Sequence, residues 1–218
     1  MKVCTDSCIF GAWLANLKLP VINCLDIGSG TGLLSLMLAQ KNNDCRFDAL
    51  EVEENACIQA AENFNNSDWN NRLNLICIDA KNYISNKKYD LIFSNPPFFE
   101  NDLLSSEKNK NLAKHDDGLT LEDLLNIIAK HLSPTGYFCL LLPPERARYF
   151  NNLAMEKSFF LQEKLMIKHN RSKKYFREIL LYSQLQSTSI ESELIIKDED
   201  GRYTHEFKHL LKDYYLQL

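Results

Sequence analysis

The run Leu25-Asp26-Ile27-Gly28-Ser29-Gly30-Thr31-Gly32 decides the fold of this 218-residue chain. Its three glycines follow an apolar segment and stand directly before a helical pattern, so the turn they make lets backbone approach a ligand with no Cβ in the way. A dinucleotide fingerprint would place its third glycine at position 33, which is Leu33, so the spacing is G-x-G-x-G and not G-x-G-x-x-G. A pyrophosphate wants a helix N-terminus aimed at it, whereas a cationic ligand wants nearby acids, and Asp26 lies inside this turn. A nicotinamide dehydrogenase is the least favoured reading.

Working outward, short apolar runs alternate with helical patterns from Val21 to Leu142, the signature of a parallel sheet with helices on both faces and hence of the α/β class. The patterning predicts strands over 21–27, 45–52, 73–78, 89–94 and 136–142. Helices are expected over 31–40, 54–65 and 120–131, the last opened by a Thr120 cap with Asp123 three residues on. Beyond Pro143-Pro144 a helix over 145–157 precedes two strand-like runs, 160–167 and 175–182, that read as a terminal hairpin. A polar linker over 183–192, a candidate edge strand over 193–196, and the helically spaced Phe207, Leu210, Leu211 and Tyr214 complete the pattern.

Hydrophobic residues at 45% and charged residues at 25% are ordinary for a globular domain and exclude a disordered or collagen-like chain. Lys+Arg 25 against Asp+Glu 29 leaves a net charge of −4, which excludes a globally basic nucleic-acid binder but permits a local basic patch. Such a run exists: Lys164, Lys168, Arg171, Lys173, Lys174 and Arg177 occur with no acid among them. A charge run is also what a solvated face looks like. The seven cysteines (Cys4, Cys8, Cys24, Cys45, Cys57, Cys77 and Cys139) are odd in number and form no C-x-x-C pair, so neither a disulfide framework nor a zinc ribbon is expected. They read as small hydrophobes in a reducing cytoplasm. The five histidines show no ligand spacing, and no metal is expected. No signal peptide is expected, since Asp6 interrupts the N-terminal segment, and no run approaches the ~18 apolar residues of a membrane span.

Two further acids stand at strand ends. Glu51 closes the second strand about 20 residues beyond the turn, where a ribose diol is held in nucleoside-binding sheets of this type. Asp79 closes the third and could accept from an adenine amino group. Strand-end acids also serve as caps or solvated turn residues, but open α/β sheets bind ligands where Asp26, Glu51 and Asp79 gather. The fourth strand ends Phe93-Ser94-Asn95-Pro96-Pro97-Phe98-Phe99. Its two prolines fix φ and remove backbone donors, giving a stiff turn that presents carbonyls without competing N–H groups.

Together the G-x-G-x-G turn, Glu51, Asp79 and Asn95-Pro96-Pro97-Phe98 resemble the class I S-adenosylmethionine-dependent methyltransferases that act on exocyclic or amide nitrogen. Met1-Lys2-Val3-Cys4-Thr5-Asp6 with Gly11-Ala12-Trp13, and Tyr203-Thr204 with Tyr214-Tyr215-Leu216, look like the opening and ending of the bacterial tRNA adenine-N6 methyltransferases that modify adenosine 37 of a valine tRNA. The resemblance spans essentially the whole chain. Two departures mark it: Ser7 stands where that family usually has glycine, and the family's upstream phenylalanine-containing segment would precede Met1.

The resemblance implies a Rossmann-like, seven-stranded, mostly parallel sheet with a terminal antiparallel hairpin in a single methyltransferase domain over 1–218. Within it, 1–20 would close over the cofactor, 21–183 would form the catalytic core and 184–218 a C-terminal extension. It implies S-adenosyl-L-methionine held by Thr5, Asp6, Asp26, Gly28, Gly30, Gly32, Glu51, Asp79 and Asn95. Asn95, Pro96, Pro97 and Phe98 would be catalytic: the Asn95 Oδ1 and the Pro96 carbonyl accept the two N6 hydrogens, and Phe98 stacks on the base. For Phe98 and Phe99 ordinary core packing is the competing reading. A tRNA partner would be gripped by Lys108, Lys110 and Lys114 after the catalytic turn and by Arg171, Lys173, Lys174 and Arg177 on the hairpin. Related Asn-Pro-Pro-aromatic enzymes methylate guanine N2 in ribosomal RNA, DNA adenine or protein glutamine, usually with an added recognition domain, and 218 residues favour the compact tRNA enzyme. An inactive cofactor-binding module is the alternative outside catalysis, and an intact Asn95 argues against it.

Overall fold

A run that is apolar at every position forms a strand when both of its faces are covered. Along residues 138–142, Phe138, Leu140 and Leu142 enter one hydrophobic cluster while Cys139 and Leu141 enter the other. The computed structural model describes residues 4–97 and 118–217 and builds on this alternation throughout.

In chain order the elements are α1 (Thr5–Asn16), β1 (Asn23–Ile27), α2 (Leu33–Lys41), β2 (Arg46–Glu51), α3 (Glu54–Asn65), β3 (Leu73–Cys77) and β4 (Tyr89–Ser94). They continue with α4 (Leu121–His131), β5 (Leu132–Leu142), α5 (Pro144–Glu156), β6 (Phe160–Lys168), β7 (Arg177–Ser183), β8 (Ile190–Ile195) and α6 (His205–Leu211). The strands form one sheet in the order β3-β2-β1-β4-β5-β7-β6-β8. Pairing is parallel from β3 to β5, antiparallel for β5–β7 and β7–β6, and parallel again for β6–β8. One face is covered by α1, α2 and α6, the other by α4 and α5. Because β1 lies between β2 and β4, successive crossovers diverge there, which opens a crevice beyond the strands' carboxyl ends.

The expected mostly parallel sheet with a terminal hairpin is present, with eight strands among the described residues where seven were expected. The additional one, β8, begins at Ile190, inside the stretch read as a linker. As an edge strand it has an exposed amino-terminal half, and its apolar period shows only in Leu194 and in Ile196 just beyond its end, both buried. The α4 cap forms as read: Thr120 Oγ1 accepts from Asp123 N at 3.0 Å and the Asp123 carboxylate accepts from Thr120 N at 3.3 Å. Such a cap is worth ~1 kcal/mol. Two boundaries move for physical reasons. Helix α2 starts at Leu33 and not Thr31, because Gly32 is left-handed (φ 80°) and ends the turn. Strand β5 starts at Leu132 and not Gly136, through a pair with Tyr89 separated from the main ladder by a register shift.

Candidate active site

The glycine turn folds over the end of β2, with the N–H groups of Gly28 and Ser29 both donating to the Leu50 carbonyl at 2.9 Å. Its glycines serve different ends. A Cβ on Gly28 (φ 73°) would meet nothing within 4 Å, so this backbone borders open space, whereas one on Gly32 would come within 2.3 Å of the Phe64 ring on α3. Gly32 is thus needed for helix packing, a reason its motif position did not reveal. Gly30 (φ 57°) aims its N–H at Glu51 Oε2, 2.7 Å away.

Glu51 is held before any ligand arrives. Its other oxygen accepts from the Val52 and Glu53 N–H groups, each at 2.9 Å, so three backbone bonds orient it. A carboxylate offers about four lone-pair directions, which leaves about one for an incoming hydroxyl unless Gly30 N–H gives way. Asp79 caps the short turn Ala80–Asn82 through Oδ1, which accepts from Lys81 N at 2.9 Å, and its Oδ2 lies 3.8 Å from the Lys81 ammonium.

Asp26 is fully buried. Oδ2 accepts from Ser35 Oγ at 2.7 Å, while Oδ1 is buried with no partner among the described residues. Burial pushes its carboxyl up to about 7, against the Ser35 hydrogen bond and with the Glu51 charge adding to the rise. At the end of β4, Ser94 Oγ donates to the Ile27 carbonyl at 2.7 Å and ties that end to β1. Asn95 follows with Nδ2 donating to Ser7 Oγ at 2.9 Å and Oδ1 buried without a partner among the described residues. Pro96 is buried and Pro97 exposed. A buried, unbonded acceptor costs ~1–3 kcal/mol. Two of them, at adjacent strand ends beside an open glycine backbone, fit a ligand that brings both a cation and N–H donors.

Sequence reasoning missed Ser7. The one available signal was its departure from the glycine of the family pattern. The structure also pairs two of the expected site residues with each other. Asp6, expected on the cofactor, and Arg177, expected on RNA, bond each other: Arg177 Nε donates to Asp6 Oδ2 at 3.0 Å in a mostly buried pair. Asp6 Oδ1 meanwhile accepts from Ser7 N at 3.0 Å. The pair therefore anchors the first turn of α1, and with it Ser7, to β7. Thr5 begins α1 beside Tyr215. The basic run is also less free than its sequence suggests, since Lys164 and Lys168 pair with Glu191 and Glu193 of β8 at 3.0 and 2.9 Å. Arg171, Lys173 and Lys174 remain exposed. Phe98, Lys108, Lys110 and Lys114 lie outside the described residues.

The family model described as "Methyltransferase small domain" matches residues 12–146. A relative from Dyadobacter fermentans named tRNA1(Val) (adenine(37)-N6)-methyltransferase is 40% identical across 100% of this chain and 91% of its own length. Among solved structures, a predicted O-methyltransferase from Agrobacterium tumefaciens superposes with a TM-score of 0.73 at 14% identity, covering 95% of each chain. A glycopeptide N-methyltransferase complexed with S-adenosyl-L-methionine superposes at 0.60 and 12% identity, covering 83% of this chain and 95% of its own. At such identities these two speak for the fold alone.

Proposed function

This chain belongs to the tRNA1(Val) (adenine(37)-N6)-methyltransferase family, and on that premise we propose that Asn95 and Pro96 present N6 of a tRNA adenine, adenosine 37 of tRNA1(Val), for methylation. The cofactor is S-adenosyl-L-methionine, which supplies an electrophilic methyl group on a sulfonium centre. The observation that carries the reading is the Asn95 amide: Ser7 engages its donor end, leaving a buried acceptor, Oδ1, at the carboxyl end of β4 without a partner among the described residues.

An exocyclic adenine amine is a weak nucleophile because its lone pair is delocalised into the ring. Asn95 Oδ1 and the Pro96 carbonyl accept its two hydrogens, and this turns the lone pair out of conjugation and toward the methyl group. Most of the acceleration is then positioning and preorganised polarity. Once methylated, the nitrogen is strongly acidic and loses its proton to water, so no strong base is needed. Glu51 holds the ribose diol, Asp79 the adenine amino group of the cofactor, and Asp26 its ammonium. The base itself must leave its stack to reach this turn, and Phe98 receives it. We place this activity in the reducing cytoplasm. Among the described residues no helix is long and apolar enough to cross a membrane.

The test is to supply methyl-labelled S-adenosylmethionine with total cellular RNA, and separately with cellular protein, and to identify the labelled product by mass spectrometry. N6-methyladenosine in tRNA is expected. Label in N2-methylguanosine or in methylglutamine would overturn the substrate assignment.

A further inference from the structure

The β6–β7 hairpin carries an aromatic arrangement that methyl transfer does not use. His169 and Phe176 face each other across its base with ring centroids 4.1 Å apart and planes within 3°. Both positions are fixed by backbone bonds: Phe176 N donates to the Ile167 carbonyl at 3.0 Å, and Lys197 N to the His169 carbonyl at 2.9 Å. Phe176 is half-buried and His169 exposed, so the imidazole presents one face to Phe176 and the other to solvent.

We infer that the outer face of His169 is a stacking platform for a second, unmodified nucleobase of the RNA substrate, close to the adenine being methylated. The inference deepens the RNA reading above and rests on it. Two observations select a nucleic acid as occupant. The platform stands at the foot of a turn whose Arg171, Lys173 and Lys174 are all exposed, which is the combination of flat ring and cations that single-stranded nucleic acid requires. A continuous series of contacts also joins it to the methyl-transfer turn: the Arg177 guanidinium lies 5.6 Å from the centre of the Phe176 ring and bonds Asp6, and the adjacent Ser7 bonds Asn95. A nucleotide flanking the extruded adenine is left without a neighbour on one side, and a rigid ring on the same rim replaces that lost stacking.

Binding of unmodified tRNA to His169→Ala and His169→Tyr, read over a salt series, tests this. His169→Ala should bind about tenfold more weakly, the scale of one base–aromatic stack, while His169→Tyr stays near wild type. Cofactor affinity should be unchanged in both. The salt slope should be unaltered in His169→Ala but flattened by about two to three when Arg171, Lys173 and Lys174 are replaced together. Wild-type affinity in His169→Ala, or an equal loss in His169→Tyr, would overturn the platform while leaving methylation intact. A wild-type protein that bound and methylated no tRNA would overturn the RNA reading itself.

Discussion

Two buried carboxylates on neighbouring strands, Asp26 of β1 and Asp48 of β2, have opposite surroundings. Asp48 receives Lys87 Nζ, Asn74 Nδ2 and the Tyr89 hydroxyl, each at 2.8 Å. Burial pushes its carboxyl up, but those three partners outweigh it and hold the group below the usual carboxylate range. Asp26 has Ser35 alone, and burial carries it up to about 7. Both acids fit an apolar strand poorly by composition. Asp48 is satisfied by the protein and is structural, whereas Asp26 and, at the end of the adjacent strand, the Asn95 amide each keep a buried oxygen with no partner among the described residues.

The largest effect that would break this comparison is at Asn95. Asn95→Ala should lose methyl transfer by ~10²-fold or more, the scale for deleting a preorganised polar contact at a reacting centre, with a far smaller change in cofactor affinity. Single-turnover kinetics with calorimetry checks it, and undiminished transfer would return the orphaned oxygen to accident. Asp48→Ala should do the reverse. It removes the acceptor of the partly exposed Lys87 ammonium and of Asn74 Nδ2 and leaves the buried Tyr89 hydroxyl with Tyr83 alone, costing ~1–2 kcal/mol in denaturant unfolding, with cofactor affinity of the folded fraction unchanged. Because its folded value is depressed, the stability Asp48 supplies is present above its unfolded value near 4 and is lost as pH falls through the folded one. Ser7→Ala should lower turnover about tenfold with cofactor affinity intact, since the loss of one hydrogen bond frees the Asn95 amide to rotate. Ser7→Thr should restore most of it, and equal turnover in all three proteins would make the contact incidental.

How much of this was legible in advance follows from where the information resides. The strands β1 to β5, the Thr120 cap and the cluster of Asp26, Glu51, Asp79 and Asn95 could be read because each depends on local period or on a motif whose residues are adjacent in sequence. The partners of those residues could not, because they are set by the sheet. Asp6 and Arg177 are 171 positions apart, and Ser7 and Asn95 are 88 apart. The basic run looked unopposed for the same reason: Glu191 and Glu193 lie beyond it in sequence and beside it in space. Strand β8 was only partly visible because an edge strand buries few side chains and shows little period.

The most direct test is the pH dependence of cofactor binding to the wild-type protein and to Asp26→Asn, measured by calorimetry between pH 6 and 8. Asp26 must be ionised to hold a cation, and its folded value is raised to about 7, so its contribution is present at pH 8 and fades below 7. The ratio of wild-type to variant affinity should therefore fall about tenfold from pH 8 to pH 6. The cofactor-free variant should also be more stable than wild type above pH 7, where the buried charge is a cost, and equal to it near pH 4. A ratio that stayed constant across this range, with no gain in stability on removing the charge, would contradict the claim that Asp26 is held incomplete for a ligand.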